Sequence, residues 1–154
     1  MNSMVKCVKI VLLVLLVALP GAVSAGCISS ECGESKVDWA SSLDGALAMA
    51  RSDNKPVMID FYADWCQPCK KMDCETYTDE ELGAFVNENF APLKVNVDRS
   101  SLGSDYKVEY LPTILFLSPD GTQIGQAKEY WIVGYRSAET LRGGLQAVLD
   151  ARAL

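Results

Sequence analysis

The 154-residue chain contains no histidine. That absence removes Cys–His and Ser–His nucleophilic catalysis and every histidine-containing metal site. A basic cluster is missing as well: 14 lysines and arginines stand against 20 acids, for a net charge of −6. An acidic chain without a cationic patch argues against nucleic acid and against docking on anionic lipid, since both are bound through their negative charges. The chain also lacks internal repeats and low-complexity tracts.

The strongest apolar run lies at the start. Lys6 and Lys9 precede an unbroken apolar stretch from Ile10 to Leu19, Pro20-Gly21 breaks it, and Val23-Ser24-Ala25 offers small residues for cleavage. This is the pattern of a secretory signal. The apolar part is short for a membrane span, although the uncharged run continues to Ser30, which leaves an uncleaved anchor as the alternative. The expected organisation is a signal peptide over 1–25, a small and polar flexible arm over 26–36, and one domain over 37–154, large enough for a real core. The leader carries two lysines and no acid, so the mature chain is more acidic still. Export to the periplasm or cell envelope would put the cysteines where disulfides persist.

The periodicity predicts a short strand over 37–39, a helix over 42–52, a turn at Asp53-Asn54-Lys55-Pro56 and a buried strand over 57–62. A helix follows Cys66 to about Glu75. Another spans 79–89, with Thr78 as its N-cap. Strands are expected over 91–97 and 113–117, with a helical turn near 100–106 between them. Ser118-Pro119-Asp120-Gly121 marks a turn, after which 122–129 pairs back as a hairpin. Ser137 caps a last helix to about Ala151. Strands alternating with helices imply an α/β domain, a mixed central sheet covered by helices on both faces.

The chemistry concentrates in Trp65-Cys66-Gln67-Pro68-Cys69-Lys70, directly after the apolar strand. Two cysteines separated by two residues can close a disulfide or open to a dithiol. At a helix mouth the first sulfur, Cys66, is readily ionised by unpaired N–H groups and the helix dipole, which makes it the candidate nucleophile. Cys69 is then the resolving thiol. Pro68 fixes one backbone dihedral between them. Asp60 stands inside an otherwise apolar strand, where a carboxylate is costly and its pKa is raised. The bland alternatives are a structural staple or half of a metal site. An all-cysteine zinc site needs four thiolates, and Cys66, Cys69 and Cys74 supply three; that set would suit a soft ion such as Cu(I) in a non-enzymatic binding module.

Asp60-Phe61-Tyr62-Ala63-Asp64-Trp65-Cys66-Gln67-Pro68-Cys69-Lys70, followed by Leu111-Pro112-Thr113, resembles the thioredoxin superfamily over about 37–149. Lys55-Pro56-Val57, Tyr62-Ala63-Asp64-Trp65-Cys66 and Thr76-Tyr77-Thr78-Asp79 are most similar to the C-terminal thioredoxin domain of bacterial transmembrane thiol:disulfide interchange reductases. The resemblance implies a thioredoxin fold and thiol–disulfide exchange on other proteins, in the reducing direction, with oxidase or isomerase activity as the alternative direction. It implies no cofactor and no metal, and a membrane-embedded or thioredoxin-like electron donor. It puts Asp60 behind Cys69 as proton acceptor. It makes the Leu111–Pro112 bond cis and facing the cysteine pair, with Trp65, Leu111, Pro112 and Thr113 forming the substrate surface. Tyr130-Trp131 reads as packing.

Cys7 leaves with the leader. Cys27 follows Ser24-Ala25-Gly26, an imperfect match to the lipid-attachment pattern of bacterial lipoproteins. If Cys27 is lipidated, Cys32–Cys74 is the extra bridge. If it is not, one cysteine is odd and Cys27–Cys32 is an alternative local pair. Cys74, five residues past Cys69, lies on a different helix face and reads as structural.

Overall fold

A computed structural model describes residues 32–125 and 129–152. They fall in the compact unit Glu31–Leu154. The leader, Cys7 and Cys27 lie outside the described residues.

The elements run α1 (Leu43–Asp53), β1 (Val57–Tyr62), α2 (Gln67–Lys71), a π-helical turn (Met72–Thr76), α3 (Glu80–Asn89), β2 (Ala91–Asn96), α4 (Leu102–Asp105), β3 (Thr113–Leu117), β4 (Ile132–Val133) and α5 (Ala138–Arg152). The sheet order is β2-β1-β3-β4. β1 pairs with β2 in parallel and with β3 antiparallel, and β4 lies antiparallel to β3.

Strand alternation sorts the core onto two faces. Val57, Ile59 and Phe61 of β1 join Leu93, Val95, Leu115 and Leu117 against Ala46 and Ala50 of α1. Met58, Ile114 and Phe116 point the other way, against Leu82 and Val86 of α3 and Leu141, Leu145 and Val148 of α5. β1 is therefore buried on both sides, which is why its sequence is apolar throughout except at Asp60. Helices cover both faces, as expected.

Four local expectations are corrected. Residues 37–39 form no strand; Ala40 alone makes an isolated parallel bridge to Leu93, its N–H donating to the Pro92 carbonyl at 2.8 Å. The N-cap of α3 is Asp79, whose carboxylate accepts from Leu82 N–H at 2.8 Å. Thr78 instead donates its hydroxyl back to the Cys74 carbonyl at 3.0 Å. The helix after Cys66 passes into a π turn at Met72 rather than continuing as α-helix to Glu75. The hairpin after β3 is no regular strand pair over its described residues, with one bridge at Leu117–Gln123 and Ile124 N–H donating to the Phe116 carbonyl. Gly125 takes a left-handed φ of 82°, and residues 126–128 of the expected return strand lie outside the described residues. The further partner of β3 is β4. Tyr130 and Trp131 pack against the two cores, as expected.

The described part of the arm is exposed yet fastened. Cys32 is disulfide-bonded to Cys74, Lys36 N–H donates to the Tyr77 carbonyl at 2.7 Å, and the Asn87 amide donates to the Lys36 carbonyl at 3.0 Å.

Candidate active site

Strand β1 ends at Tyr62, and the chain turns through Ala63-Asp64-Trp65 into α2. Cys66 is the N-cap of that helix, and its Sγ accepts from Cys69 N–H at 3.2 Å. Pro68 occupies the first turn, where its missing N–H leaves no helical hydrogen bond unmade. Cys66 and Cys69 form a disulfide with an S–S distance of 2.04 Å. Both are buried, in a small cluster with Ala63 against which Tyr62, Val97 and Leu111 pack. All four described cysteines are disulfide-bonded. Among the described residues no group of three or more histidine, cysteine or acidic side chains is arranged to hold a metal.

An open groove of about 720 Å³ runs beside the pair. Trp65, Cys66, Gln67 and Pro68 form one side, and Val97, Gly103, Ser104 and Val108 to Leu111 form the rest. Trp65 and Tyr110 are both 67% exposed, unusual for such large rings, and both line this groove. Trp65 is held by its indole N–H, which donates to Asp98 at 3.0 Å. Asp64 is exposed; it accepts from the Asn96 amide at 3.0 Å and pairs with Arg99.

The Leu111–Pro112 peptide is cis. Leu111 reaches both the groove and the cysteine cluster. Pro112 and Thr113 are buried behind it. The Thr113 hydroxyl donates to the Tyr110 carbonyl at 2.7 Å, and the Pro112 carbonyl accepts from Gly134 N–H at 2.8 Å, so both residues brace the loop that carries Leu111 and Tyr110.

Asp60 is 2% exposed. Burial pushes its carboxyl from the usual 3.8 up to about 6, against the opposing pull of Lys94; the Tyr77 hydroxyl also favours the carboxylate, and Asp73 raises the value slightly. Asp60 Oδ1 and the Tyr77 hydroxyl are both buried, and neither has a partner at full hydrogen-bond geometry. Burial and the Asp60 charge hold Tyr77 well above the ordinary tyrosine value.

Lys94, Tyr77 and Asp73 are site residues that sequence reasoning missed. Lys94 is paired in register with Asp60 across the parallel β1–β2 ladder, so both project from the same face. Its ammonium pairs with Asp73 and stands 4.7 Å from the Tyr62 ring centre and 5.3 Å from that of Tyr77. A signal was present: a lysine between Leu93 and Val95 in a strand of otherwise inward-facing residues. For Asp73 no signal existed, because the π turn changes which face it presents.

A family model described as thioredoxin-like matches residues 38–119. The thiol:disulfide interchange protein DsbD of Salmonella typhi is 34% identical over 103 residues, 64% of this chain and 18% of that protein. The chain thus spans about a fifth of the length of the curated relatives it matches. A thioredoxin from Thermus thermophilus, 25% identical, superposes with a TM-score of 0.63 over 77% of this chain and 92% of its own. The Neisseria meningitidis DsbD C-terminal domain in its oxidised form does so with a TM-score of 0.55 at 20% identity, over 68% of this chain and 90% of its own.

Proposed function

This chain belongs to the thioredoxin-like family, has the thioredoxin fold and is a thiol–disulfide oxidoreductase, and we propose that it is exported and reduces disulfides of other proteins. The observation that carries the reading is a Cys66–Cys69 disulfide at a helix N-terminus, on the wall of an open groove, with a buried acid on the strand leading to it.

In the reduced enzyme the Cys66 thiolate attacks one sulfur of a substrate disulfide. A Cys66–substrate bond forms, the substrate S–S bond breaks, and the first substrate thiolate leaves to take a proton. Cys69 passes its proton to Asp60, directly or through water. A carboxyl titrating near 6 is mostly ionised at neutral pH and still basic enough for that task. The Cys69 thiolate then attacks the Cys66 sulfur; the Cys66–Cys69 bond forms, the Cys66–substrate bond breaks, and the second substrate thiolate leaves and takes a proton from solvent. Two electrons have passed to the substrate and the enzyme is left oxidised. Re-reduction takes a dithiol donor, for which a membrane-embedded or thioredoxin-like protein is the proposed class.

Trp65 and Tyr110 supply apolar walls for a substrate segment, and the backbone around Leu111 offers it hydrogen-bonding groups. Among the described residues no helix is long and apolar enough to cross a membrane. Export rests on the sequence pattern of residues 1–25, and attachment to the envelope through a lipid on Cys27 is the accompanying proposal. The mass of the processed chain tests both.

Direction is tested by the reduction potential of the Cys66–Cys69 pair, measured by equilibration in glutathione or dithiothreitol buffers with mass-shift labelling. A value near ~−270 mV supports a reductase, and one near ~−120 mV makes the protein an oxidant. Cys69→Ser tests the nucleophile: it strands substrates on Cys66 as mixed disulfides visible on a non-reducing gel.

A further inference from the structure

The π turn carries two neighbours with different ties. The Asp73 carboxylate pairs with the Lys94 ammonium on β2, and Cys74 is bonded to Cys32 in the arm, 42 residues back. Asp73 has a side chain 37% exposed. An ion pair with one partner that wet gains little from charge alone, and side-chain freedom opposes it. The disulfide removes backbone freedom at the adjacent residue. Lys94, 17% exposed, pairs with Asp73 and lies in register with Asp60 across the β1–β2 ladder, so one ammonium serves two carboxylates.

The titratable groups that face Asp60 are Lys94 from β2, Asp73 from the π turn and Tyr77 just after it. From β3 the residue in register is Ile114, which carries no charge. Lys94 is fixed in a strand and Tyr77 is buried; the π turn that carries Asp73 is seated by buried Met72 and Thr76 and tied at the next residue by the Cys32–Cys74 bond.

We propose that the Cys32–Cys74 disulfide is a positioning clamp for the resolving step: by tying the π turn to the arm it holds Asp73 on Lys94, and so sets how much of that ammonium's charge reaches Asp60. With Asp73 in place, Lys94 is shared and Asp60 keeps its proton to higher pH. With Asp73 released, Lys94 serves Asp60 alone and the carboxylate is favoured. The proposal rests on the reading of Asp60 as the proton acceptor.

The test is a carboxyl-carbon NMR titration of Asp60 in the full oxidised domain, for the parent protein, D73N, C32S/C74S and the combined variant. The expected midpoint falls by roughly a few tenths of a pH unit in D73N, by a similar amount in C32S/C74S, and no further when the two are combined. D73E should restore the parent value. An unchanged midpoint in D73N, or a parent-like midpoint in C32S/C74S beside a shifted D73N, overturns the clamp, as do additive shifts. C32A/C74A is run alongside; if both pairs of cysteine substitutions fail to fold, the bond is a structural staple and the proposal falls. D60N separates this from the underlying reading. If it leaves the pH profile of the resolving step unchanged, the proton-acceptor role is lost, whereas the NMR titration judges the clamp on its own.

Discussion

The same covalent bond occurs twice in this molecule, in settings with opposite consequences. Cys66–Cys69 closes across three positions, at the mouth of a helix and beside a groove. Cys32–Cys74 joins positions 42 apart, from an exposed arm to a π turn. In the chain-entropy picture a loop of the second size contributes about 4 kcal/mol to stability, against about 2 kcal/mol for the first. The short bridge is also backed by N–H groups and a helix dipole that stabilise the thiolate left when it opens. Reactivity here comes from surroundings that favour the broken state, and anchorage from the length of chain that breaking would free.

The sharpest way to break that contrast is to remove each bridge in turn and assay exchange. Cys66→Ser should lower protein-disulfide reduction by about three orders of magnitude or more, measured as insulin turnover with a dithiol donor. C32S/C74S should retain turnover within about tenfold. Equal losses in the two variants would show that both bridges exchange. Stability should respond in the opposite sense: urea unfolding of C32S/C74S should show a loss of about 3–4 kcal/mol. A loss under about 1 kcal/mol would mean that the arm is not anchored by this bond.

The two bridges also differ in how legible they were. The exchanging pair was plain from the sequence, because Cys66, Cys69 and Pro68 sit beside a strand whose apolar run announces itself. Asp60 was legible for the same reason: a carboxylate among Met58, Ile59 and Phe61 stands out, with a strand-end acid reaching solvent as the alternative, and its burial decides between them. The partner of Cys74 stayed open between Cys32 and other pairings, since connectivity depends on where the arm lies. Lys94 was hidden by habit, as a lysine in a strand normally reads as a solvated edge. Asp73 and the π turn were hidden by physics: a helix that changes its hydrogen-bond pattern moves every later side chain to another face, and no periodicity reports it. The turn residues at 118–121 were right, but the return they start is a single bridge at Gln123 among the described residues, too short for periodicity to measure.

The buried acid of β1 supplies a third contrast: Asp60 is 2% exposed, whereas the side chain of Asp73, next to Cys74, is 37% exposed. The Asp60 carboxyl titrates at 3.8 when unfolded and about 6 when folded, through burial. Below pH 4 both states are protonated and the difference costs nothing. Between 4 and 6 the folded state holds the extra proton, so stability falls as pH rises, and the loss is complete above 6. Two units correspond to about 3 kcal/mol. Urea unfolding as a function of pH should therefore decline from pH 4 to 7 in the parent protein, and D60N should flatten that slope. An identical slope in D60N would mean that the buried acid is not the group being titrated.

The smallest effect probes how the arm reaches Cys74 at all. Gly83 lies on α3 directly under the arm, and a Cβ there would stand 2.4 Å from Lys36 Cβ and 2.6 Å from the Lys36 carbonyl oxygen. The backbone of residue 36 is itself pinned, its N–H to the Tyr77 carbonyl and its carbonyl to Asn87, so the strain cannot be relieved by a side-chain rotation. Gly83→Ala gains about 1 kcal/mol of helix propensity but forces the arm away, at about 1–3 kcal/mol for an overpacked contact. The expected net loss is about 1 kcal/mol in urea unfolding. The informative version is a double-mutant cycle with C32S/C74S. An arm freed at Cys32 can lift from α3, so the cost of Gly83→Ala should shrink in that background. Strictly additive losses would mean that the disulfide and the Lys36 contact hold the arm independently, and that the π turn is fastened to a strap that α3 does not help to seat.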